Sequence, residues 1–512
     1  MPVAFVLATA IGGAVIEQLP VPERELSEAF AAEYFEQYRM LPLKWEGGRV
    51  HVAVVLPPNA SALRDLREHF QCDLELVAVS QETLDAGIRR AVASQESVIE
   101  LVRDLGAEPS LKDEGDDSLL ADARDLAAQP PVIRFVNLLI REAADAAASD
   151  VHLEATRAGM RVRIRLDGVL TELPPPPPGL QAAVVSRIKL LAELDIAERR
   201  IPQDGRIRIR LEAREMDLRV STVPTLFGES VVLRLLDRGG GAVTLEALGM
   251  SPDVLSRFRS ASARPHGIVL ATGPTGSGKT TTLYAALGIR DAACEKIVTV
   301  EDPVEYHLEA VTQVPVLAKA GVTFASALRG ILRQDPDVLM VGEMRDPETA
   351  GIAVQAAMTG HLVFSSLHTN DAVSSLARLA DLGVEPYLIA ATLEAVVAQR
   401  LVRRVCAQCS EQCEAEPGAV ALLAERPIGR IRLQRGRGCT ACRDTGFRGR
   451  IGLFELLLVD DELKEAMVLR RPVAELRALA LSGGMTTLKQ DGWAKAAAGL
   501  TTVEEVLRVV QP

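Results

Sequence analysis

The stretch Gly273-Pro-Thr-Gly-Ser-Gly-Lys-Thr280 decides how the rest of this sequence is interpreted, because it has the spacing of a phosphate-binding loop. The short apolar run 267–271 precedes it as a buried strand, and residues 281–287 follow it as the start of a helix. The glycines allow successive backbone N–H groups to point at the phosphates of a nucleotide, and the helix N-terminus adds its positive dipole end. The residues expected to bind the nucleotide are Gly273, Pro274, Thr275, Gly276, Ser277, Gly278, Lys279, Thr280 and Thr281.

Two side chains of this loop have specific expected roles. Lys279 is expected to reach the β- and γ-phosphates, and the hydroxyl group of Thr280 is expected to bind Mg²⁺. The alternative is a chance glycine turn between a strand and a helix, which the strand-loop-helix context disfavours.

Length and composition limit the classes of protein to consider. A chain of 512 residues is too long for one hydrophobic core and is expected to form about three or four domains. The net charge of -12 does not favour binding to nucleic acid or to an anionic membrane. A local basic surface is still possible in a chain with this net charge. Seven cysteines are too few for a disulfide scaffold, and four of them form two Cys-x-x-Cys pairs, which indicates a metal and the reducing cytoplasm.

The sequence contains no apolar stretch of the length that a transmembrane helix needs. The apolar N-terminal residues 3–16 have no preceding basic residue and no clear cleavage site, so they are expected to belong to a folded domain rather than to an export signal.

Alternating strand-like and helical patterns predict an α/β protein of several domains. Residues 106–131 are acidic and contain prolines, which indicates a flexible linker, and the run Gly239–Gly241 favours a hinge. The predicted segments are 1–105 (an N-terminal α/β domain for protein contact), 106–131 (linker), 132–237 (a second α/β domain), 238–244 (hinge), 245–402 (a nucleotide-binding core with a parallel sheet), 403–450 (a cysteine-containing insert) and 451–512 (a C-terminal helical subdomain).

Acidic side chains follow two apolar strands of the predicted core. Hydrolysis of a nucleotide requires carboxylates near the metal and the attacking water. We assign Glu343 to water activation and to charge near the metal, with Glu301, Asp302 and Glu305 supporting it. Many phosphate-loop NTPases carry Asp at the position of Gly342, so the metal's carboxylate partner is expected to come from elsewhere or to act through water. The alternative is that these are solvated loop acids.

Two histidines bracket the apolar run 362–367. His361 and His368 are an odd number of residues apart, so they would point to opposite faces of a regular strand. Only one of them is therefore expected near phosphate, and the sequence does not decide which one.

Four arginines are candidates for stabilising charge on the transferring phosphate. Arg329 and Arg333 are four residues apart and share one face of a predicted helix, while Arg219 and Arg234 lie on strands of the second domain. They can contact the phosphate if that domain folds over the nucleotide of its own or a neighbouring subunit. The alternative for each arginine is a surface salt bridge.

The two Cys-x-x-Cys pairs predict a closed structural Zn²⁺ site, because each pair supplies two thiolates at tetrahedral spacing. The expected ligands are Cys406, Cys409, Cys439 and Cys442, with Cys413 as a competitor. A redox pair is the alternative.

Together these motifs resemble the ATPases of type II secretion systems, the GspE-like family, within the group that also contains type IV pilus assembly ATPases. The similarity covers nearly the whole chain. It is carried by Arg200-Ile-Pro-Gln-Asp-Gly-Arg206, Arg219–Pro224 with Gly228-Glu229, the phosphate loop, Glu301-Asp302-Pro303, Gly342-Glu343, the segment Gly360–Asp371, and the two cysteine pairs with Gly446–Arg450.

This resemblance implies a RecA-like ATPase domain preceded by a PAS-like α/β domain, with ATP, Mg²⁺ and Zn²⁺ as cofactors. It implies a homohexamer on the cytoplasmic face of the inner membrane that drives pseudopilus assembly and protein export. The implied partners are platform proteins, namely a GspL-like cytoplasmic domain that binds residues 1–105 and a GspF-like membrane protein. Arg219, Arg234, Arg329 and Arg333 match family arginines placed around the nucleotide, and Gly342 is a family trait. A type IV pilus extension ATPase is the alternative within the group.

Two readings from other classes remain. A helicase or DNA translocase would need a basic groove with interleaved aromatic residues, and the acidic balance disfavours it, so no nucleic-acid partner is expected. A nucleotide-gated scaffold would not need to hydrolyse the nucleotide. Substitution of Lys279 or Glu343 by Ala would then leave secretion intact, whereas an ATPase would lose it. GTP is not expected, because the chain contains no Asn-Lys-x-Asp segment.

Overall fold

The structure is a computed structural model of the chain. It describes residues 19, 26, 32–46, 48–85, 87–88, 127–177, 179–211, 214–237, 243–414 and 433–510. Most of the predicted linker (106–126), most of the predicted hinge (238–242) and residues 415–432 of the insert therefore lie outside the described residues. Two compact units are present, residues 1–207 with 218–235, and residues 208–217 with 236–512.

A three-stranded sheet lies near the N-terminus of the first unit. Its middle strand pairs antiparallel with the first strand and parallel with the third. Asn59 caps the helix before the third strand, because its Oδ1 atom accepts hydrogen bonds from the backbone N–H groups of Ser61 and Ala62. The elements are α1 (Ala32–Tyr38), β1 (Met40–Glu46), β2 (Arg49–Val54), α2 (Ala60–Phe70) and β3 (Asp73–Ala78).

A six-stranded sheet follows along the chain, with strand order β6-β5-β4-β9-β8-β7. Alternating residues of its strands are buried, as at Val151 and Leu153, which is the pattern of a sheet covered on one face. The elements are α3 (Pro130–Asp145), β4 (Asp150–Thr156), β5 (Gly159–Leu166), β6 (Val169–Leu173), α4 (Gln181–Leu191), β7 (Gln203–Leu211), β8 (Arg214–Thr225) and β9 (Gly228–Asp237).

The second unit is built around a seven-stranded sheet with order β12-β11-β13-β14-β10-β15-β18. All neighbours are parallel except the last pair, so the carboxyl ends of the parallel strands meet at one edge. The elements up to β14 are α5 (Pro252–Ser262), β10 (Gly267–Thr272), α6 (Lys279–Leu287), β11 (Ile297–Glu301), β12 (Thr312–Pro315), α7 (Phe324–Ile331), β13 (Val338–Val341), α8 (Pro347–Met358) and β14 (Leu362–Leu367).

A long antiparallel pair completes this sheet. Strand β15 runs through the predicted boundary at residue 402, and strand β18 runs through the one at residue 450. The cysteine insert is therefore an extension of two core strands, and its own small sheet pairs β16 with β17. The elements are α9 (Ser374–Asp381), α10 (Pro386–Thr392), β15 (Leu393–Val405), β16 (Ser410–Gln412), β17 (Gln434–Gly436) and β18 (Phe447–Leu458).

Four helices lie between residue 461 and the last described residue, Val510. A buried ion pair holds the third of them against β18: Lys495 Nζ lies 2.5 Å from Asp491 Oδ2 and 2.6 Å from the carbonyl oxygen of Gly452. Among the described residues, we find no helix with the length and hydropathy of a membrane span. The helices are α11 (Asp461–Val468), α12 (Val473–Ser482), α13 (Leu488–Ala497) and α14 (Val503–Val509).

Candidate functional site

The phosphate loop connects the buried strand β10 to helix α6, as its sequence predicts. Gly273 and Gly278 have φ values of +148° and +87°, a region that other residues rarely adopt. A Cβ atom on Gly273 would also lie 2.5 Å from the backbone carbonyl oxygen of Gln399. A Cβ atom on Gly278 would lie 2.7 Å from the side-chain Nε2 atom of Gln399. Both glycines are therefore needed for the loop conformation and for the close approach of β15.

Lys279 is the first residue of α6, and its side chain folds over the loop. Its Nζ atom donates hydrogen bonds to the carbonyl oxygens of Gly273 and Pro274, at 2.8 and 3.1 Å. Burial lowers the pKa of Lys279 to about 8; the charge of Glu343 opposes this shift and that of Arg400 adds to it. The ammonium group thus lies in a site where an anion would stabilise its charge.

Glu343 lies at the carboxyl end of β13, next to the side chains of Arg345 and His368. Its Oε1 atom is 2.5 Å from the guanidinium of Arg345, and its Oε2 atom is 3.4 Å from Nε2 of His368. The Oε2 atom is buried and accepts no hydrogen bond within the described part of the chain. Because Glu343 also influences the pKa of Lys279, the structure brings Lys279, Glu343 and His368 together at the ends of three strands.

The acidic residues at and after the end of β11 have different surroundings. Glu301 is only 2% exposed and accepts hydrogen bonds from the hydroxyl groups of Tyr284 and Thr299 and from the amide of Gln313. This network holds its carboxylate inside the core. Asp302 is exposed and close enough to Arg345 to raise the pKa of that guanidinium, after the larger effect of Glu343.

Glu305 is half-buried, further along the loop that follows β11. It is one of the groups that shift the pKa of Tyr284, so it lies near the buried network of Glu301.

His361 and His368 lie at opposite ends of β14. His361 precedes the strand, and its Nδ1 atom lies 2.9 Å from the carbonyl oxygen of Ala356 and 3.2 Å from the hydroxyl of Thr359. The six intervening strand residues span about 20 Å, so the structure does not bring His361 to the phosphate loop of its own chain. Of the two histidines, His368 is the one at the site.

The predicted arginines fall into two groups. Arg329 and Arg333 lie at the end of α7, where Arg329 forms an ion pair with Glu348 and Arg333 donates to the carbonyl oxygen of Arg329 at 2.8 Å. Arg219 and Arg234 lie on β8 and β9 of the first unit.

Arg234 donates to Oδ1 of Asp150 at 3.1 Å, yet its side chain remains 56% exposed. Contact between any of the four arginines and a nucleotide stays a prediction.

Sequence reasoning missed the residues that β15 and the loop after β14 bring to the site. Gln399 accepts a hydrogen bond from the Thr282 hydroxyl at 2.6 Å, and Arg400 donates to Asn370. The hydroxyl groups of Thr272 and Thr369 lie 2.7 Å apart and join β10 to the same loop. The available signal is the polar pair Gln399-Arg400 between the apolar residues 395–398 and 401–402.

The oxygen atoms at the site fit Mg²⁺, which prefers oxygen ligands. Thr280, the residue proposed to bind the metal, lies in the first turn of α6 and is partly exposed. The buried Oε2 atom of Glu343 adds an acceptor without a hydrogen bond in the described residues.

The four predicted zinc ligands form one cluster. Their sulfur atoms lie within 4.8 Å of one another, with Cys406–Cys439 at 3.9 Å, Cys409–Cys442 at 3.7 Å and Cys439–Cys442 at 3.6 Å. A tetrahedral ion with Zn–S bonds of about 2.3 Å would place its sulfur ligands about 3.8 Å apart, so the cluster fits Zn²⁺. Cys413 is not part of this cluster.

Backbone donors favour the thiolate form of Cys442. Its Sγ atom accepts hydrogen bonds from the N–H groups of Cys439 and Gly446, at 3.2 and 3.3 Å. Burial opposes ionisation, but these donors, together with hydrogen bonds from the Cys439 and Cys409 thiols, lower the pKa of Cys442 to about 7. Thiolate is the form that binds zinc.

Family models and related proteins match nearly the whole chain in sequence. Residues 125–508 match the family described as type II/IV secretion system protein, and residues 11–98 match the MshEN domain. The type II secretion system protein E of Xanthomonas campestris pv. campestris is 44% identical over 490 residues, which cover 94% of this chain and 85% of that protein. The type IV pilus assembly ATPase PilB of Myxococcus xanthus is 41% identical over 497 residues, which cover 96% and 87%.

Among solved structures, the Legionella pneumophila ATPase DotB matches with a TM-score of 0.54 and 20% identity. That match covers 73% of this chain and 94% of DotB, and it supports the fold alone. The predicted α/β class with a parallel-strand sheet is confirmed, and so is the predicted resemblance. The chain belongs to the type II/IV secretion system protein family, and it is an ATPase of the type II secretion branch of that family.

Proposed function

We propose that this ATPase hydrolyses ATP at the phosphate loop to drive pseudopilus assembly and protein export. The observation that carries the proposal is the convergence of Lys279, Glu343 and His368 at the carboxyl ends of neighbouring parallel strands. This is the edge at which ligands bind in open α/β sheets.

Each residue of the site has a proposed task in hydrolysis. The loop from Gly273 to Thr281 binds the polyphosphate through its N–H groups, and Lys279 exchanges its loop carbonyls for phosphate oxygens. Glu343 orients a water and accepts its proton as the water oxygen bonds to the γ-phosphorus. The bond from that phosphorus to the β–γ bridging oxygen breaks, leaving ADP and phosphate. Mg²⁺ held by Thr280 would neutralise charge on the phosphates.

The other predicted side chains act around this centre. Glu301 holds the end of β11 through its buried hydrogen bonds, while Asp302 and Glu305 supply negative charge beyond it. His368 contacts Glu343 and is placed to respond to the nucleotide, whereas His361 has a structural role in this subunit. Arg219, Arg234, Arg329 and Arg333 are proposed to stabilise phosphate charge within an assembly.

Members of this family form hexamers and work with platform proteins. We infer a homohexamer on the cytoplasmic face of the inner membrane, reached through platform proteins of the GspL and GspF type. The N-terminal domain, part of which matches the MshEN domain, is the proposed docking element. The four-cysteine cluster is proposed to hold one Zn²⁺ that joins the ends of β15 and β18.

The function is tested by Lys279→Ala in a strain that depends on this protein for secretion. We expect loss of nucleotide binding and of secretion, since the variant removes the ammonium group that faces the phosphates. Lys319→Ala is the matched control, because Lys319 is an exposed lysine of the same unit. Secretion at the normal level by Lys279→Ala would instead support a scaffold that needs no nucleotide turnover.

A second candidate function is extension of a type IV pilus, which the 41% identity to PilB of Myxococcus xanthus favours. Deletion of the gene followed by assays of secretion and of surface pili separates the two. Loss of secretion with intact pili supports the type II function, and the converse supports pilus extension.

A further inference from the structure

The side chain of Arg400 crosses the end of the strand that carries the phosphate loop. Strand β10 lies between β15 and β14, and Thr272 at its end pairs with Ala398 on one side and Leu367 on the other. Arg400 lies two residues beyond Ala398 on β15. Its Nη2 atom donates to the carbonyl oxygen and to Oδ1 of Asn370, both at 3.1 Å, in the loop that follows β14. The guanidinium therefore spans from one neighbouring strand to the other, above the point where the loop begins.

The guanidinium has neutral hydrogen-bond acceptors. Its acceptors in the described part of the chain are the carbonyl oxygen of Gln399, at 3.2 Å from Nη1, and the two oxygens of Asn370. The carboxylates of Glu455 and Asp371 act on it only as more distant charges. A half-buried cation with such partners is stabilised by an anion that presents two oxygens to its planar fork.

The position of Arg400 indicates which anion this is. Its Nη1 atom is 3.2 Å from the site that a Cβ atom on Gly273 would occupy, and its charge influences Lys279. From there it extends towards the loop after β14, the strand whose end carries His368 beside Glu343. The terminal phosphate of a bound nucleotide would lie between Lys279 and Glu343, on the side to which Arg400 extends.

We propose that Arg400 binds the γ-phosphate of ATP from within the same subunit and returns to Asn370 when the γ-phosphate is absent. The proposal rests on the nucleotide site proposed above. Arg400 would then distinguish ATP from ADP. When no γ-phosphate is bound, Asn370 is the neutral acceptor that holds the guanidinium.

The test compares the affinities of the full-length protein for Mg²⁺-AMP-PNP and Mg²⁺-ADP by isothermal titration calorimetry. For Arg400→Ala we expect the Kd for AMP-PNP to rise about tenfold or more and the Kd for ADP to change less than about twofold, because a charged hydrogen-bonded contact is lost only with the γ-phosphate. Arg404→Ala is the matched control, since Arg404 is an exposed arginine on the same strand. We expect it to bind both nucleotides like the wild type.

Two further variants keep the outcome interpretable. Arg400→Lys keeps the positive charge but not the planar guanidinium, so it is expected to lose part of the preference for AMP-PNP over ADP. It replaces Arg400→Ala in the test if that variant does not fold. Asn370→Ala removes the side-chain acceptor Oδ1 and leaves the backbone carbonyl oxygen, so it is expected to retain or increase the affinity for AMP-PNP.

Equal weakening of both nucleotides, or no weakening, in the folded Arg400 variants would overturn the proposal. Lys279→Ala separates this failure from that of the site itself. If Lys279→Ala still binds both nucleotides as tightly as the wild type, the proposed site is wrong. If it binds neither, and the Arg400 variants do not discriminate, only the role of Arg400 is refuted.

Discussion

The lowered pKa of Lys279 predicts that nucleotide affinity falls as the pH rises through about 8. In the nucleotide-free protein the pKa lies below the ordinary lysine value of 10.5, because burial penalises the charged form. Phosphate oxygens favour that form, so binding raises the pKa and takes up a proton. The contribution of the ammonium is nearly complete at pH 7 and is lost progressively as the pH rises through about 8.

The size of the effect follows from that pKa. Lys279 is about nine-tenths charged at pH 7 and about one-tenth charged at pH 9, so the Kd for Mg²⁺-ADP should rise about tenfold between them. This corresponds to about 1.4 kcal/mol of binding free energy.

The assay is calorimetry across this range in buffers of different ionisation enthalpy, which also measures the proton uptake. Lys279→Arg is the control, because an arginine keeps its charge throughout and should remove the slope. A wild-type Kd that is constant between pH 7 and 9, or an equal slope in Lys279→Arg, would refute the reasoning.

Three further predictions concern metal binding and buried polar groups in the second unit. Cys406→Ser should reduce the metal content from about one Zn²⁺ per chain to near zero and lower the melting temperature, because three thiolates cannot close the site; metal analysis showing no zinc in the wild type contradicts the assignment. Asp491→Ala should destabilise the second unit by about 3–5 kcal/mol in urea unfolding, because it leaves Lys495 buried without its anion, and a loss below about 1 kcal/mol argues against a buried pair. Glu301→Ala should lower the melting temperature while ADP still binds, because its carboxylate is held by Tyr284 and its neighbours rather than by nucleotide; loss of ADP binding in the folded variant would show a direct role.

Much of the site could be predicted from the sequence, because parallel sheets impose simple geometry. The apolar runs 338–341 and 362–367 are observed as strands with those bounds, since both are buried on two faces. Residues that follow parallel strands meet at one edge, and this brings Glu343 and Lys279 together. The same rule places His368 at that edge of the sheet and His361 at the opposite edge. The alternation of side chains between the two faces of a strand did not show which histidine lies near the phosphate.

The remainder depends on contacts that the sequence pattern does not contain. Strand β15 mixes apolar residues with Glu394, Gln399, Arg400, Arg403 and Arg404 without strict alternation. Periodicity alone does not assign such a segment to strand or helix, so Gln399 and Arg400 were not expected beside the loop. The inward orientation of Glu301 is decided by Tyr284 and Gln313, which are distant in sequence.

The division into seven segments stays a prediction. The bounds at 402 and 450 fall inside strands because β15 and β18 pair along their length.

The most direct test of the central claim is the rate of ATP hydrolysis by Glu343→Gln, measured on folded protein with saturating Mg²⁺-ATP. The amide has nearly the shape of the carboxylate but cannot accept the proton of the attacking water. We predict that the variant binds ATP as the wild type does and that its turnover falls about a hundredfold or more. Turnover at the wild-type rate would show that Glu343 does not activate water and would contradict the proposed mechanism.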